Sequence, residues 1–251
     1  MKKITLLDID ISRIILVYLI QGVVVIYFSI LAFRIIKRKI QRLNLIFGAF
    51  FTCVIIGNIL NMAYAVIPLY LEEIIKFLHF LTLFFIFFAI IFIPIVNMII
   101  LESTLIFSVK RQNKYILFYG LLLFFGMLIL IIIQEVYGWQ VGLEIEASGY
   151  PKWSLIFFLF VISITSGFAI IPIIYTNWRI YKSFQTKELK RKWLYYFIGS
   201  LGLFTIAYSI CIANLLGNAF PWFRVIISIF GISIVIWVQL MYYGIGSKLK
   251  K

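Results

Sequence analysis

Charged side chains, histidine and cysteine are all scarce in this sequence, and each scarcity excludes a class of protein. Charged residues make up 13% of the 251 positions and hydrophobic residues 64%, against about 25% and about 45–50% in soluble proteins. Because a water-soluble fold could not bury so much apolar surface, soluble enzymes and disordered tails are excluded. Cys53 and Cys211 both lie in apolar segments, which argues against a disulfide scaffold. With one histidine and no carboxylate in those segments, we expect neither a metal nor a cofactor.

Long apolar runs predict seven membrane-crossing helices. A helix needs about 20 mostly apolar residues to cross a bilayer. The predicted spans are 14–33, 45–67, 77–101, 115–134, 154–177, 193–216 and 222–243, and none contains Asp, Glu or Lys. The runs are apolar on all faces and lack the alternation of membrane β-barrel strands. The sequence therefore predicts an all-α integral membrane bundle, a single domain over residues 1–251 that crosses the cell membrane seven times.

The distribution of basic residues predicts the orientation of the bundle. Segments 34–44, 102–114, 178–192 and 244–251 carry 17 of the 23 Lys and Arg residues. An excess of Lys and Arg marks the cytoplasmic side. The amino terminus and segment 135–153 are therefore expected outside, and the carboxyl terminus inside. Topology and contacts with anionic lipid headgroups explain the net charge of +14, so we expect no nucleic-acid partner.

Polar side chains gather in the outer half of several predicted spans. Asn58 and Asn61 are three residues apart and share a helix face. An unpaired amide in hydrocarbon costs several kcal/mol, so these groups must face each other or water. We therefore predict a ligand site below segment 135–153, with Arg224 at its rim and a wall formed by Gln21, Asn58, Asn61, His79 and Asn214.

The ligand expected at this site is small and largely apolar or aromatic, because no buried acid or base is available to neutralise a charge. Arg224 is the one group that could meet an anion. The opposing interpretation is that the amides bond across helices, each bond contributing about 0.6–2 kcal/mol. In that case the outer half should be packed without a cavity.

Motifs of catalysis are not found. The sequence has no Gly-rich phosphate loop, no nucleophile elbow and no paired carboxylates, so we expect no enzyme. The last span, 222–243, contains no lysine, which excludes a retinal Schiff base.

Two stretches carry a family resemblance: YGWQVGLEIEASGYPKWSLIFF, and IYKSFQTKELKRKWLYYFIGSLGLF further along the chain. With the seven-span layout, they resemble the N-terminal seven-helix sensor region of prokaryotic histidine kinases. In that family a similar aromatic outer loop precedes the fifth span, and a basic loop leads into a Gly-bearing sixth span. Only GIGSKLKK follows the last span here, and the one histidine is His79, so we expect no kinase domain.

The resemblance and the polar outer half together predict a receptor-like sensor. Its ligand would enter from outside, and it would signal to a separate cytoplasmic protein or act as a homodimer. One alternative is a small transporter or channel, which should carry polar groups at the bilayer midplane. Another is a membrane assembly protein with no ligand of its own, which should lack a cavity.

Overall fold

The computed structural model describes residues 11–37, 41–146 and 149–246. The predicted tail segments 1–10 and 247–251 lie outside the described residues. The helices are α1 (Ile11–Ile36), α2 (Arg42–Ala65), α3 (Glu72–Ile90), α4 (Phe92–Ile106), α5 (Val109–Tyr137), α6 (Leu155–Thr165), α7 (Ile171–Ser183), α8 (Lys187–Leu216), α9 (Pro221–Phe230) and α10 (Ile234–Gly246). Strands β1 (Leu143–Ile145) and β2 (Pro151–Trp153) pair antiparallel between α5 and α6, with Leu143 opposite Trp153.

Seven helical segments of the described chain are long and apolar enough to cross a membrane. In chain order, spans 1 to 7 are Val17–Ile36, Arg42–Ala65, Leu69–Glu102, Val109–Tyr137, Leu155–Ser183, Lys187–Leu216 and Trp222–Ile245. This confirms the predicted all-α architecture of a multi-pass membrane protein, with one short hairpin added. Helices α5 and α8 begin at Val109 and Lys187, upstream of the predicted apolar segments, so their basic residues lie on helix ends.

The seven spans give the bundle two distinct ends. The hairpin end carries the β1–β2 hairpin and the connection between spans 6 and 7. The basic end carries the described residues between spans at 37, 41, 107–108 and 184–186, next to the basic ends of α5 and α8. The N-cap residues of α5, α6 and α8 are Ser108, Ser154 and Thr186. The hydroxyl of each accepts a hydrogen bond from the backbone amide three residues further along the chain. Gly138, with φ of +69°, ends α5 and turns the chain into the hairpin.

Span 3 is interrupted just before Pro94. The Ile91 amide bonds to the Phe88 carbonyl, three residues back, at 3.3 Å. This leaves the Phe87 carbonyl without its usual partner four residues on. The Tyr119 hydroxyl of span 4 donates to that carbonyl at 3.0 Å. A side chain from a neighbouring helix therefore satisfies the backbone group at the break.

Span 5 repeats this arrangement around Pro172. A π-helical segment, Ser166–Ile170, precedes the proline. Because proline has no amide hydrogen, the Phe168 carbonyl lacks its partner four residues on. The Tyr115 hydroxyl, also on span 4, donates to it at 2.8 Å. Span 7 changes to 3₁₀ geometry over Gly231–Ser233, so spans 3, 5 and 7 are each interrupted partway along.

Span 3 lies at the centre of the bundle. In the most apolar 18-residue stretch of span 3, 67% of the residues are buried, against 11% in the corresponding stretch of span 7. Spans 6 and 7 approach to backbone contact at the basic end, because Gly199 and Gly244 have no side chains there. An added Cβ on Gly199 would overlap the Trp237 carbonyl, and one on Gly244 would overlap the Lys192 carbonyl.

Candidate functional site: a cavity at the hairpin end

A cavity of about 210 Å³ lies inside the bundle at the hairpin end. Spans 1, 2, 3, 6 and 7 all contribute to its wall, and Tyr150 and Pro151 of the hairpin also line it. All six residues proposed from the sequence are among its lining residues: Gln21, Asn58, Asn61, His79, Asn214 and Arg224. Pockets for drug-sized ligands measure about 300–1,000 Å³. This cavity is therefore sized for a smaller molecule.

His79 joins the hairpin to spans 2 and 3. Its Nε2 accepts a hydrogen bond from Trp153 Nε1 at 3.3 Å, and its Nδ1 lies 3.2 Å from the Tyr64 hydroxyl. Because an indole nitrogen can only donate, Nε2 carries no proton in this arrangement. The imidazole is then neutral, with its proton on Nδ1 facing Tyr64. His79 and Trp153 are 3% and 1% exposed, so β2 is anchored in the core of the bundle.

Arg224 at the top of span 7 binds the hairpin. Its Nη1 lies 3.4 Å from a Glu146 carboxylate oxygen, and both side chains are less than 15% exposed. Its Nη2 donates to the carbonyls of Pro151 at 3.2 Å and Ala213 at 3.4 Å. The guanidinium also stacks 4.7 Å above the Tyr150 ring. Glu146 therefore balances the charge of Arg224, which leaves little of it for an anionic ligand.

Gln134 forms a third attachment of the hairpin. Its Nε2 donates to the Leu143 carbonyl at 3.0 Å, and its Oε1 accepts from the Gly142 amide at 2.7 Å. The side-chain amide of Gln134 lies at the hairpin end, as the predicted site does, but its hydrogen bonds go to the backbone of the hairpin. Span 4 therefore supports the cover of the cavity, while five other spans form the wall.

Three buried polar atoms of the cavity wall have no hydrogen-bond partner among the described residues: Thr82 Oγ1, Gln21 Oε1 and Arg224 Nε. A helical hydroxyl usually bonds to the carbonyl four residues back, as Thr52 and Thr205 do here. Thr82 does not, although its residue is only 3% exposed. A buried polar group left without a partner costs about 1–3 kcal/mol. These three atoms lie beside the cavity with unused hydrogen-bonding capacity, whereas other such atoms, on Thr165 and Asn177, lie away from it.

The wall changes from polar to apolar with depth. On span 3, which enters the bundle from the hairpin end, His79 and Thr82 precede Ile86. On span 7, which enters from the same end, Arg224 and Ser228 precede Ile234. At 1.5 Å per residue, these stretches cover about 10–15 Å of depth. The cavity thus has a polar upper part under the hairpin and an apolar lower part towards the middle of the bundle.

A second set of buried polar side chains lies nearer the basic end. Asn97 of span 3 donates to the Thr176 hydroxyl of span 5 at 3.0 Å. Its Oδ1 accepts from the Tyr196 hydroxyl of span 6 at 2.8 Å. Asn97 and Tyr196 are fully buried. This cluster therefore holds three spans together by direct hydrogen bonds.

Several lining residues were not in the predicted set. Tyr64 and Thr82 continue the three-residue spacing that begins at Asn58 and His79, so the helical period was a usable signal for both. Tyr150 and Pro151 enter the wall only because the hairpin folds back over the bundle, which no local pattern shows. Among the described residues, no group of three or more His, Cys, Asp or Glu side chains is placed to hold a metal ion.

These features define a seven-helix, multi-pass membrane protein with a small covered cavity at one end. Comparison with known proteins finds no matching family model, no matching curated protein and no matching solved structure.

Proposed function

We propose that the protein is a receptor-like sensor of the cell membrane. Its hairpin end faces outside, the cavity binds a small, mostly apolar ligand, and the basic end signals to a separate cytoplasmic protein. The observation that carries the proposal is the cavity itself: five spans and the hairpin place polar side chains around one volume of about 210 Å³. The resemblance to sensor regions of histidine kinases supports the same assignment.

The interrupted spans supply a route from the cavity to the basic end. Spans 3 and 7 line the cavity and are interrupted at Ile91 and at Gly231–Ser233. Interruptions of this kind are where helices bend, and 3₁₀ geometry within a helix, as in span 7, often marks a functional hinge. Beyond them, exposed Lys110, Arg111 and Lys114 begin span 4. A cytoplasmic partner with an acidic surface would complement that charge.

Binding can be tested with 1-octanol as the probe, on protein reconstituted in phosphatidylcholine nanodiscs. We expect octanol to raise the thermal unfolding midpoint by about 2–4 °C for each kcal/mol of binding free energy. Ser228→Phe, which fills the cavity, should abolish the rise, and Gly231→Leu provides a second blocking variant. Thr205→Phe, at an exposed position of span 6, is the control for effects on the bilayer. Equal shifts in blocked and control variants would disprove the binding site.

Signalling can be followed with an environment-sensitive fluorophore on Ser183→Cys, at the exposed basic end of span 5. Octanol should change its emission in the otherwise unaltered protein, and should not do so when Ser228→Phe is also present. No change despite octanol binding would mean that the cavity is not coupled to the basic end.

A transporter is the second candidate, because discontinuous helices are typical of secondary transporters. Alternating access would expose the cavity to both sides in turn. Cysteines at Asn58 and Ile234, labelled with an impermeant thiol reagent in vesicles of each orientation, separate the two candidates. A sensor predicts labelling from the hairpin side alone, and a transporter predicts labelling from both. A packed outer half without a cavity would have favoured the assembly-protein alternative, and the cavity gives it no such support.

The orientation has its own test in intact cells. Gln140→Cys, in the exposed part of the hairpin segment, should react with an impermeant thiol reagent, and Ser183→Cys should not. Ser148, which the sequence also offers as an outer labelling position in segment 135–153, lies outside the described residues. The reverse labelling pattern would invert the proposed topology.

A further inference from the structure

The charges around the cavity limit the chemistry of what it can hold. Among the described lining residues, Arg224 carries the one formal charge once His79 is neutral. Arg224 already pairs with Glu146 at 3.4 Å and donates to two backbone carbonyls. A carboxylate or phosphate would have to displace Glu146, and an ammonium would meet no free anion. Burying an unpaired charge costs far more than burying a neutral polar group.

The unpartnered atoms indicate what a neutral guest must offer. Gln21 Oε1 needs a hydrogen-bond donor and Arg224 Nε needs an acceptor. The Thr82 hydroxyl can bond to either kind of group, because a hydroxyl both donates and accepts. A carboxamide carries both donor and acceptor on one carbon, and an alcohol carries both on one oxygen. Below these atoms the wall is aliphatic, with Ile86 and Ile234 at depth, which suits an alkyl chain.

Resting on the proposed function, we infer that the natural ligand class is a neutral amphiphile: a short alkyl chain ending in a carboxamide or hydroxyl group. The polar group lies under the hairpin against Thr82, Gln21 and Arg224 Nε. The chain points down between spans 1, 3, 6 and 7 towards the middle of the bilayer. The Arg224–Glu146 pair stays intact beneath the hairpin and does not neutralise the ligand.

Three eight-carbon probes with a neutral, an anionic and a cationic head group test this: octanamide, octanoate and octylammonium, at pH 7.4 and matched ionic strength in phosphatidylcholine nanodiscs. Affinity is read from the rise of the unfolding midpoint with probe concentration. Octanamide should bind at least about tenfold more tightly than either charged probe, the factor that one buried hydrogen bond provides. Octanoate binding as tightly as octanamide would overturn the inference and make Arg224 an anion site.

Thr82→Val locates the polar group, because it removes the hydroxyl and keeps the shape. It should weaken octanamide binding about tenfold and leave the free protein as stable or more stable, since it deletes an unpartnered group. Thr205→Val, whose hydroxyl bonds to its own helix, should change neither quantity. Octanamide affinity unaltered by Thr82→Val would overturn the placement. If none of the three probes binds, the inference fails, and the octanol measurement decides separately whether the cavity binds apolar molecules at all.

Discussion

The amides that line the cavity and the Asn97 amide nearer the basic end belong to one bundle but behave differently. Asn97 is fully buried, and both of its amide atoms bond to side chains of other spans. Asn58, Asn61 and Gln21 stand around an open volume, and Gln21 Oε1 has no partner in the described structure. The Asn97 amide therefore joins three spans, whereas the Gln21, Asn58 and Asn61 amides border the cavity.

Helix separation explains the difference, and spans 6 and 7 show it within single helices. At the basic end, Gly199 and Gly244 bring the two backbones into contact. Towards the hairpin end, a Cβ on Gly231 of span 7 would have only Ile20 Cγ2 nearby, at 3.8 Å. Both spans border the cavity towards the hairpin end, and Arg224 of span 7 donates there to the Ala213 carbonyl of span 6.

The largest expected difference in stability comes from adding one methyl group at each of two glycines, Gly199 and Gly231. Gly199→Ala overlaps backbone atoms of span 7, so we expect a loss of about 3 kcal/mol of stability. Gly231→Ala enters ordinary contact and gains helix propensity, so a change of less than about 1 kcal/mol, in either direction, is expected. Thermal unfolding in one detergent, followed by tryptophan fluorescence, measures both. Equal losses would show that the cavity end is as closely packed as the basic end.

Removing an amide should be the next largest effect. Asn97→Ala leaves the buried Tyr196 hydroxyl without its acceptor, which should cost about 2 kcal/mol. Asn61→Ala, at the cavity wall, should cost less than about 0.5 kcal/mol, because it removes no bond that the described structure shows. The same unfolding measurement applies. A large loss of stability in Asn61→Ala would mean that the hairpin-end amides hold the helices together by hydrogen bonds.

Breaking the ion pair should loosen the hairpin while the bundle stays folded. Arg224→Gln leaves the Glu146 carboxylate without its partner at a site only 14% exposed; we expect a local loss of about 1.5 kcal/mol, between the values for exposed and buried pairs. Hydrogen exchange of the amides in 142–153 should speed up accordingly. Lys76→Gln, which breaks ion pairs of Lys76 with Glu73 and Glu135 at the same end, is the control. Unchanged exchange in Arg224→Gln would show that Trp153 and Gln134 hold the hairpin without it.

The smallest expected effect concerns the interrupted spans. Tyr115→Phe removes the donor to the Phe168 carbonyl, and we expect a loss of about 1 kcal/mol. Tyr70→Phe, at a 76% exposed position, should be neutral. A neutral Tyr115→Phe would mean that water or another group satisfies the backbone beside the π segment.

Much of the architecture was predictable because its signals are local. Seven apolar runs at least as long as a bilayer needs give seven spans in the described chain, since hydropathy and length alone decide whether a helix can cross. Depth along each span is also local, at 1.5 Å per residue. For this reason Gln21, Asn61 and Asn214, from three different spans, were placed at a common level before any contact was known, and all three line the cavity.

Other features had no signal in the sequence. The sequence placed Arg224 at the rim but did not identify Glu146, 78 positions away, as its partner. No local pattern in segment 135–153 predicts that it packs on the bundle, where Trp153 donates a hydrogen bond to His79. The tyrosine hydroxyls that bond to free backbone carbonyls in spans 3 and 5 both lie on span 4. The positions of the prolines in the sequence therefore could not identify them.

The number and order of the spans, and the depth of each polar group along its span, follow from the sequence alone, because these properties depend on residues within one helix. The tertiary structure decided which polar groups close on one another and which surround a cavity. That choice depends on the distance between helices, which is set jointly by side-chain volumes on both partners. Gly199 meets Trp237 and closes one end, whereas Gly231 meets almost nothing and leaves the other open, although both are the same residue in an apolar helix.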